Sequence, residues 1–136
     1  MLFLIKMYYK ELLKLIEDGD ADGLRTKGKK IIECVDYEMQ NETGDYLMYH
    51  IGAHKDHAKG RLLFQTFKRT CDEMSPYHWT EIMKVMGQSL MHGSVESQNM
   101  KLLEHAMSHV DEIYLERLLY DVDAPEVSQW YDENFT

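Results

Sequence analysis

The sequence predicts an all-α fold, a single compact bundle of about five helices joined by short loops. Apolar residues recur at three- and four-residue intervals along most of the chain, and no stretch alternates apolar with polar residues between turn signals. Pro76 and Pro125 are the only prolines, and both stand at joints of that pattern. With 136 residues, 44% of them hydrophobic and 29% charged, the chain has material for one core and reads as one domain over residues 1–136.

The first helix is expected over Leu2–Glu17, where a broad apolar stripe (positions 2, 5, 8, 9, 12, 13, 15 and 16) runs with lysines between. Residues 18–23, Asp-Gly-Asp-Ala-Asp-Gly, stop it, and Asp20 is the expected N-cap of a second helix to about Gln40 with Leu24, Ile31, Ile32 and Val35 inward. The same six residues match part of a calcium loop. Lys29, however, stands where a bidentate Glu is needed and Arg25 where an aliphatic residue belongs, so they read as a turn with capping aspartates.

Residues 41–44 form the next turn, with Thr43 or Asp45 as cap of a third helix to about Arg69; Leu47, Ile51, Ala58, Leu62, Phe64 and Phe67 are its expected inner face. Ser75-Pro76 opens a fourth, carrying Trp79, Ile82, Met83, Met86 and Leu90 inward and ending near His92-Gly93. Ser94 is the expected cap of a last long helix over about 95–120, with Val95, Leu102/Leu103, Ala106, Val110, Ile113, Tyr114 and Arg117/Leu118 in the core. Residues 120–136 remain as an acidic-aromatic tail or a short docking helix, and the ten methionines read as fillers of an irregular core.

Cys34 and Cys71 cannot build a disulfide framework and form no CxxC, so they read as reduced thiols. The apolar start at residues 1–5 breaks at Lys6, too soon for a signal-peptide core or a membrane span. A cytoplasmic protein is expected. No GxSxG, Walker pattern or phosphate-cradling glycine loop is present, and neither cysteine has a histidine close in sequence, so catalysis is not the expected role.

Charge divides the chain. Residues 1–71 hold 12 Lys/Arg and 11 Asp/Glu, a net of +1, whereas residues 72–136 hold 3 Lys/Arg and 13 Asp/Glu, a net of −10. The acidic half repels nucleic acid and membrane phosphates and attracts a basic surface. It points to a small acidic interaction protein, a regulator or inhibitor that binds a basic, nucleic-acid-binding surface of a partner protein as a DNA mimic would. The candidate partner-binding residues are Glu104, Asp111, Glu112, Glu116, Asp121, Asp123, Glu126, Trp130, Asp132 and Glu133. The basic clusters Arg25/Lys27/Lys29/Lys30 and Lys55/Lys59/Arg61/Lys68/Arg69 lack interleaved aromatics, so direct nucleic-acid binding is not expected; they could meet an acidic half, in the same chain or in a second copy.

A second reading rests on histidines. His50-x3-His54-x2-His57 and His105-x3-His109-x2-Glu112 share one helical spacing, and on continuous helices each would form a ridge of metal ligands. It would make the protein a metal-binding bundle, a small metalloenzyme in its fullest form, with one divalent zinc-type ion on His50, His54, His105 and His109. The stretch His105-Ala-Met-Ser-His109, followed by residues 114–119 and Pro125, resembles DinB-like proteins. That resemblance implies a four-helix bundle in which an upstream His and a later HxxxH hold a divalent metal. The interval from His50 to His105 is shorter than in that family, and Val110-Asp111-Glu112 stands in place of its Arg-Gly-Gln.

Overall fold

The computed structural model describes residues 2–40 and 46–135. Among the described residues there are nine helices and no strand: α1 Leu2–Glu17, α2 Ala21–Arg25, α3 Gly28–Gln40, α4 Leu47–Gly52, α5 His57–Met74, α6 Trp79–Ser97, α7 Met100–Met107, α8 Glu112–Asp121 and α9 Pro125–Phe135. The all-α architecture is as expected. The number of helices is larger because expected long helices are split and the tail is helical.

Each split has a local cause. Between α2 and α3 the chain tightens into bonds three residues apart, from the Thr26 and Lys27 amides to the Gly23 and Leu24 carbonyls, before the Ile31 amide resumes the helical pattern on Lys27. Between α4 and α5, Asp56 takes an extended backbone and its carboxylate accepts the Lys59 amide at 3.1 Å, starting a new helix. Asn99 does the same for α7 through the Leu102 amide, and Asp111 for α8 through the Ile113 amide. Asp20 caps α2 as the sequence implied, accepting the Gly23 amide at 2.8 Å. Pro125 occupies the first position of α9, and the Gln98 side chain accepts the Glu126 amide at 2.8 Å, fastening that helix start to the end of α6. The expected caps Thr43 and Asp45 lie outside the described residues.

Other boundaries move. Ser75 closes α5 instead of opening α6, which starts at Trp79 with the Glu81 carboxylate accepting the His78 amide. Helix α6 does not end at Gly93, and Ser94 is no cap: it is buried inside α6, with its hydroxyl donating to the Leu90 carbonyl at 2.7 Å. The helix ends at Gln98, whose left-handed backbone (φ 57°) returns its amide to the Ser94 and Val95 carbonyls.

These glycines and serines sit where α6 crosses α4. The two backbones approach so closely that a Cβ on Gly52 would lie 2.8 Å from the Leu90 carbonyl oxygen, and a Cβ on Gly93 would strike the Tyr49 carbonyl and lie 2.7 Å from the Ala53 nitrogen. The Ser97 hydroxyl donates to the Gly52 carbonyl at 2.6 Å, and His57 Nε2 meets the Ser97 carbonyl at 2.6 Å. Buried Asn99 adds a bond from its amide to the His57 carbonyl. The α4–α5 joint is thereby fixed to the α6–α7 joint.

Around this crossing the core draws on every helix except α9's distal turns: Leu12, Ile16, Leu24, Ile31, Val35, Leu47, Met48, Ile51, Leu63, Phe67, Met83, Met86, Leu90, Leu103, Leu115 and Val127 are buried. Met48, Met83, Met86 and Met91 fill the core as read for methionine, whereas Met7 and Met74 are exposed. Ala58, Leu62 and Ile113, expected inside, are exposed. Each lies beyond a break, where a new cap restarts the helix in a different phase and Leu63 or Leu115 takes the inner position. One carboxylate is also buried: Glu38 accepts the Tyr9 hydroxyl and the Leu47 amide, linking α1, α3 and the start of α4.

Substituting Gly93 by Ala should force the α4–α6 pair apart and cost about 1–3 kcal/mol of unfolding free energy in urea. Gln88→Ala, on the exposed side of the same helix, should stay within about 0.5 kcal/mol of the parent. Equal effects of the two would refute the close crossing.

Candidate functional site: an acidic face with exposed aromatics

The candidate partner-binding carboxylates lie on the last three helices. Glu104 is on α7, Asp111 caps α8, Glu112, Glu116 and Asp121 belong to α8, Asp123 lies in the following joint, and Glu126, Asp132 and Glu133 are on α9. All of them are exposed, and only Trp130 among the candidates is partly buried. From Asp111 to Phe135 there are eight exposed carboxylates and a single base, Arg117.

The first half of the chain behaves differently. Glu11 pairs with Lys30 at 2.6 Å and Lys27 at 3.0 Å, and these hydrogen bonds, Lys30 first, hold its carboxyl below the usual range. Lys14 meets Asp18, Arg25 meets Asp22 and Lys68 meets Asp72. Five bases there meet carboxylates, positive and negative charges nearly cancel in number, and most of the excess negative charge of the chain faces solvent from α8 and α9.

Sequence spacing points to the aromatics of the tail, but not to Ile113 and Tyr120 of α8, as the apolar part of this face. Ile113 is 53% exposed, Tyr120 82% and Phe135 41%. Ile113, Glu116 and Tyr120 follow the i, i+3, i+7 spacing of one helical ridge. On α9, Tyr131 stacks on Phe135 with ring centres 5.2 Å apart, and Phe135 meets Trp130 edge-on. Desolvation, then the carboxylates of Glu116 and Glu112, push the Tyr131 phenol above its usual range. The Tyr131 phenol of α9 therefore lies within the field of the α8 carboxylates Glu116 and Glu112. One helical phase carried across residues 108–111 puts Ile113 inward; the restart of the helix at Asp111 turns it outward.

The histidines do not form the two facing ridges. The helix carrying His50 ends at Gly52, leaving His54 in the joint, where its Nδ1 accepts the Asp56 amide at 3.0 Å. The helix carrying His105 ends at Met107, leaving His109 in the next joint. His50, Ala53, His54, Lys55 and Glu17 line a shallow hollow of about 260 Å³. Among the described residues, no three His, Cys, Asp or Glu side chains form a group that could hold a metal ion, so His50, His54, His105 and His109 are not brought together as one ligand set. Elsewhere Glu96 accepts the Tyr49 hydroxyl and pairs with His92 at 2.9 Å, a surface cluster that sequence spacing alone did not single out.

His105 has a structural partner instead. Its Nε2 accepts the Trp79 indole N–H at 3.1 Å, and its ring packs edge-on against Phe64 and next to His109. Accepting that bond requires an unprotonated Nε2, so the imidazole is neutral with its hydrogen on Nδ1. Burial, then His109 and Lys68, hold its pKa below the ordinary value of 6.5. Cys34 and Cys71 are buried with pKa values pushed up to about 12 by desolvation, which disfavours the thiolate a nucleophile needs.

Fold and face together define an all-helical protein with an acidic, aromatic-bearing surface. The model of the family of unknown function DUF5903 matches residues 11–132, and the chain belongs to that family. No curated protein and no solved structure matches the chain, so the resemblance of residues 105–125 to DinB-like proteins gains no support from a relative.

Because His105 binds its proton less readily folded than unfolded, its contribution to stability is complete above pH 6.5 and is lost as pH falls from there through the lowered folded value. The melting temperature should drop over that window, and His105→Gln, which keeps an acceptor for Trp79, should drop less. Trp79 fluorescence in a Trp130→Phe background should change over the same window. A pH profile unaltered by His105→Gln would exclude this role.

Proposed function

We propose that this protein is a non-catalytic interaction protein, a regulator or inhibitor whose α8–α9 face covers a basic surface of a partner protein, a surface of the kind that otherwise binds nucleic acid. One observation carries the reading: eight exposed carboxylates against one base between Asp111 and Phe135. Such a field steers a basic partner into encounter and rejects acidic ones. Exposed Tyr120, Ile113 and Phe135 supply what charge alone lacks, since apolar and aromatic anchors at the centre of an interface dominate its affinity. No helix among the described residues is long and apolar enough to cross a membrane.

The test is capture of partners from an extract of the source organism on immobilised protein at about 50 mM and about 500 mM salt. Retention should be strong at low salt and weak at high salt. Replacing Glu116, Asp121, Asp123 and Glu126 by their amides should weaken binding by about tenfold or more. Tyr120→Ala should weaken it at both salt concentrations. A retained protein that has no basic surface, or binding indifferent to salt and to all five substitutions, would reject the proposal.

A further inference from the structure

Helix α1 presents the counterpart of the acidic face. Its inner side is buried through Ile5, Leu12 and Ile16. Its outer side carries Phe3, 76% exposed, Met7, 53% exposed, and exposed Lys6 and Lys10, followed by Lys14, which pairs with Asp18 at 3.6 Å. Residues 3, 7, 10 and 14 fall within about 60° of one another around a helix, with Lys6 flanking them. The result is a ridge with an apolar end and a basic end. The α8 ridge of Ile113, Glu116 and Tyr120 beside Glu112 has the same composition with the opposite charge.

We infer that the α1 ridge of one molecule docks on the α8–α9 face of a second copy. This rests on the proposed role of that face as the docking surface and names an occupant for it. Two features of the chain select a second copy over an anionic lipid surface. Complementary charge and exposed apolar side chains are present on both ridges of one sequence, and a molecule of net charge −9 with its acids on the surface is repelled by anionic lipid. The two patches differ, so the contact is head-to-tail, and repetition gives rings or open chains in place of a closed two-fold dimer. A ten-residue α8 is about 15 Å long, which sets the contact at the low end of interface sizes; the association should be weak, concentration-dependent and sensitive to salt.

The test uses the full chain in sedimentation equilibrium up to about 0.5 mM protein, in low and high salt. The parent should exceed the monomer mass at low salt and return to it at high salt. Lys6→Glu with Lys10→Glu should be monomeric alone, and so should Glu112→Lys with Glu116→Lys. Mixing these two variants should restore association, which a misfolded variant could not do. A parent that remains monomeric, association that persists in the Lys6/Lys10 variant, or a mixture that fails to associate would overturn the inference. So would a monomeric parent that co-sediments with phosphatidylserine vesicles through Lys6 and Lys10. Loss of extract-partner binding in the Glu112/Glu116 variant, with that binding unchanged in the Lys6/Lys10 variant, would leave the partner reading standing even where self-association fails.

Discussion

The crossing of α4 and α6 constrains the rest of the molecule. Gly52 and Gly93 allow one backbone to lie directly on the other, with no side chain interposed. At that distance the polar groups of each helix come within reach of its neighbour. The Ser97 hydroxyl bonds the Gly52 carbonyl, and the His57 ring and the Asn99 amide bond backbone carbonyls across the same seam. The Gly52 carbonyl, left open by ending α4 after six residues, is thus met inside the protein. A short helix of this kind has little stability of its own, since helix nucleation is unfavourable and propagation over one or two turns does not offset it. It persists because the crossing and the bonds around it hold it.

The same seam sets where the remaining helices go. Helix α6 runs uninterrupted through Gly93, and its left-handed stop at Gln98 turns the chain back into α7. Gln98 then reaches the start of α9, so the end of one helix fixes the beginning of another that lies 28 residues on. On the other side, Glu38 joins Tyr9 of α1 to the first amide of α4. A carboxylate in the core is tolerated only with donors around it, and here those donors come from two other elements.

How far the sequence could be read follows from these contacts. Periodicity alone located α1, the body of α6 and most of the core, because amphipathic spacing is a property of contiguous residues. Asp20 announced its helix start for the same reason: a cap acts within three residues of itself. What spacing could not convey was whether a glycine ends a helix or admits a neighbour. Gly93 carries the local signature of a C-terminus, yet its role is set by Tyr49 and Ala53, forty or more positions away. Likewise Asp56, Asn99 and Asp111 look like ordinary polar residues within an apolar pattern until they cap. Each restart changes the helical phase, so Ile113 turned outward and both histidine triplets lost their common face. The candidate acids, in contrast, were legible throughout, because a carboxylate without a nearby base defaults to solvent whatever the phase.

The placement of charge gives the surface its asymmetry. Bases and acids of the first half are interleaved, so folding brings Glu11 between Lys27 and Lys30 and pairs Lys14, Arg25 and Lys68 with acids three or four residues away. Exposed pairs of this kind contribute little stability, since solvent and salt screen them. Their consequence is a near-zero net charge over that half of the chain. The acids of α8 and α9 have almost no bases to meet, and their mutual repulsion raises the cost of keeping them together on two short helices. Buried Leu115, Leu118, Ala124 and Val127 must offset that cost, and they do so from one side only, leaving Tyr120, Ile113 and Phe135 uncovered on the other. A surface that concentrates like charge and exposed apolar area in the same place is relieved on both counts by a basic, partly apolar occupant, which neutralises the field and removes the apolar area from water in a single contact.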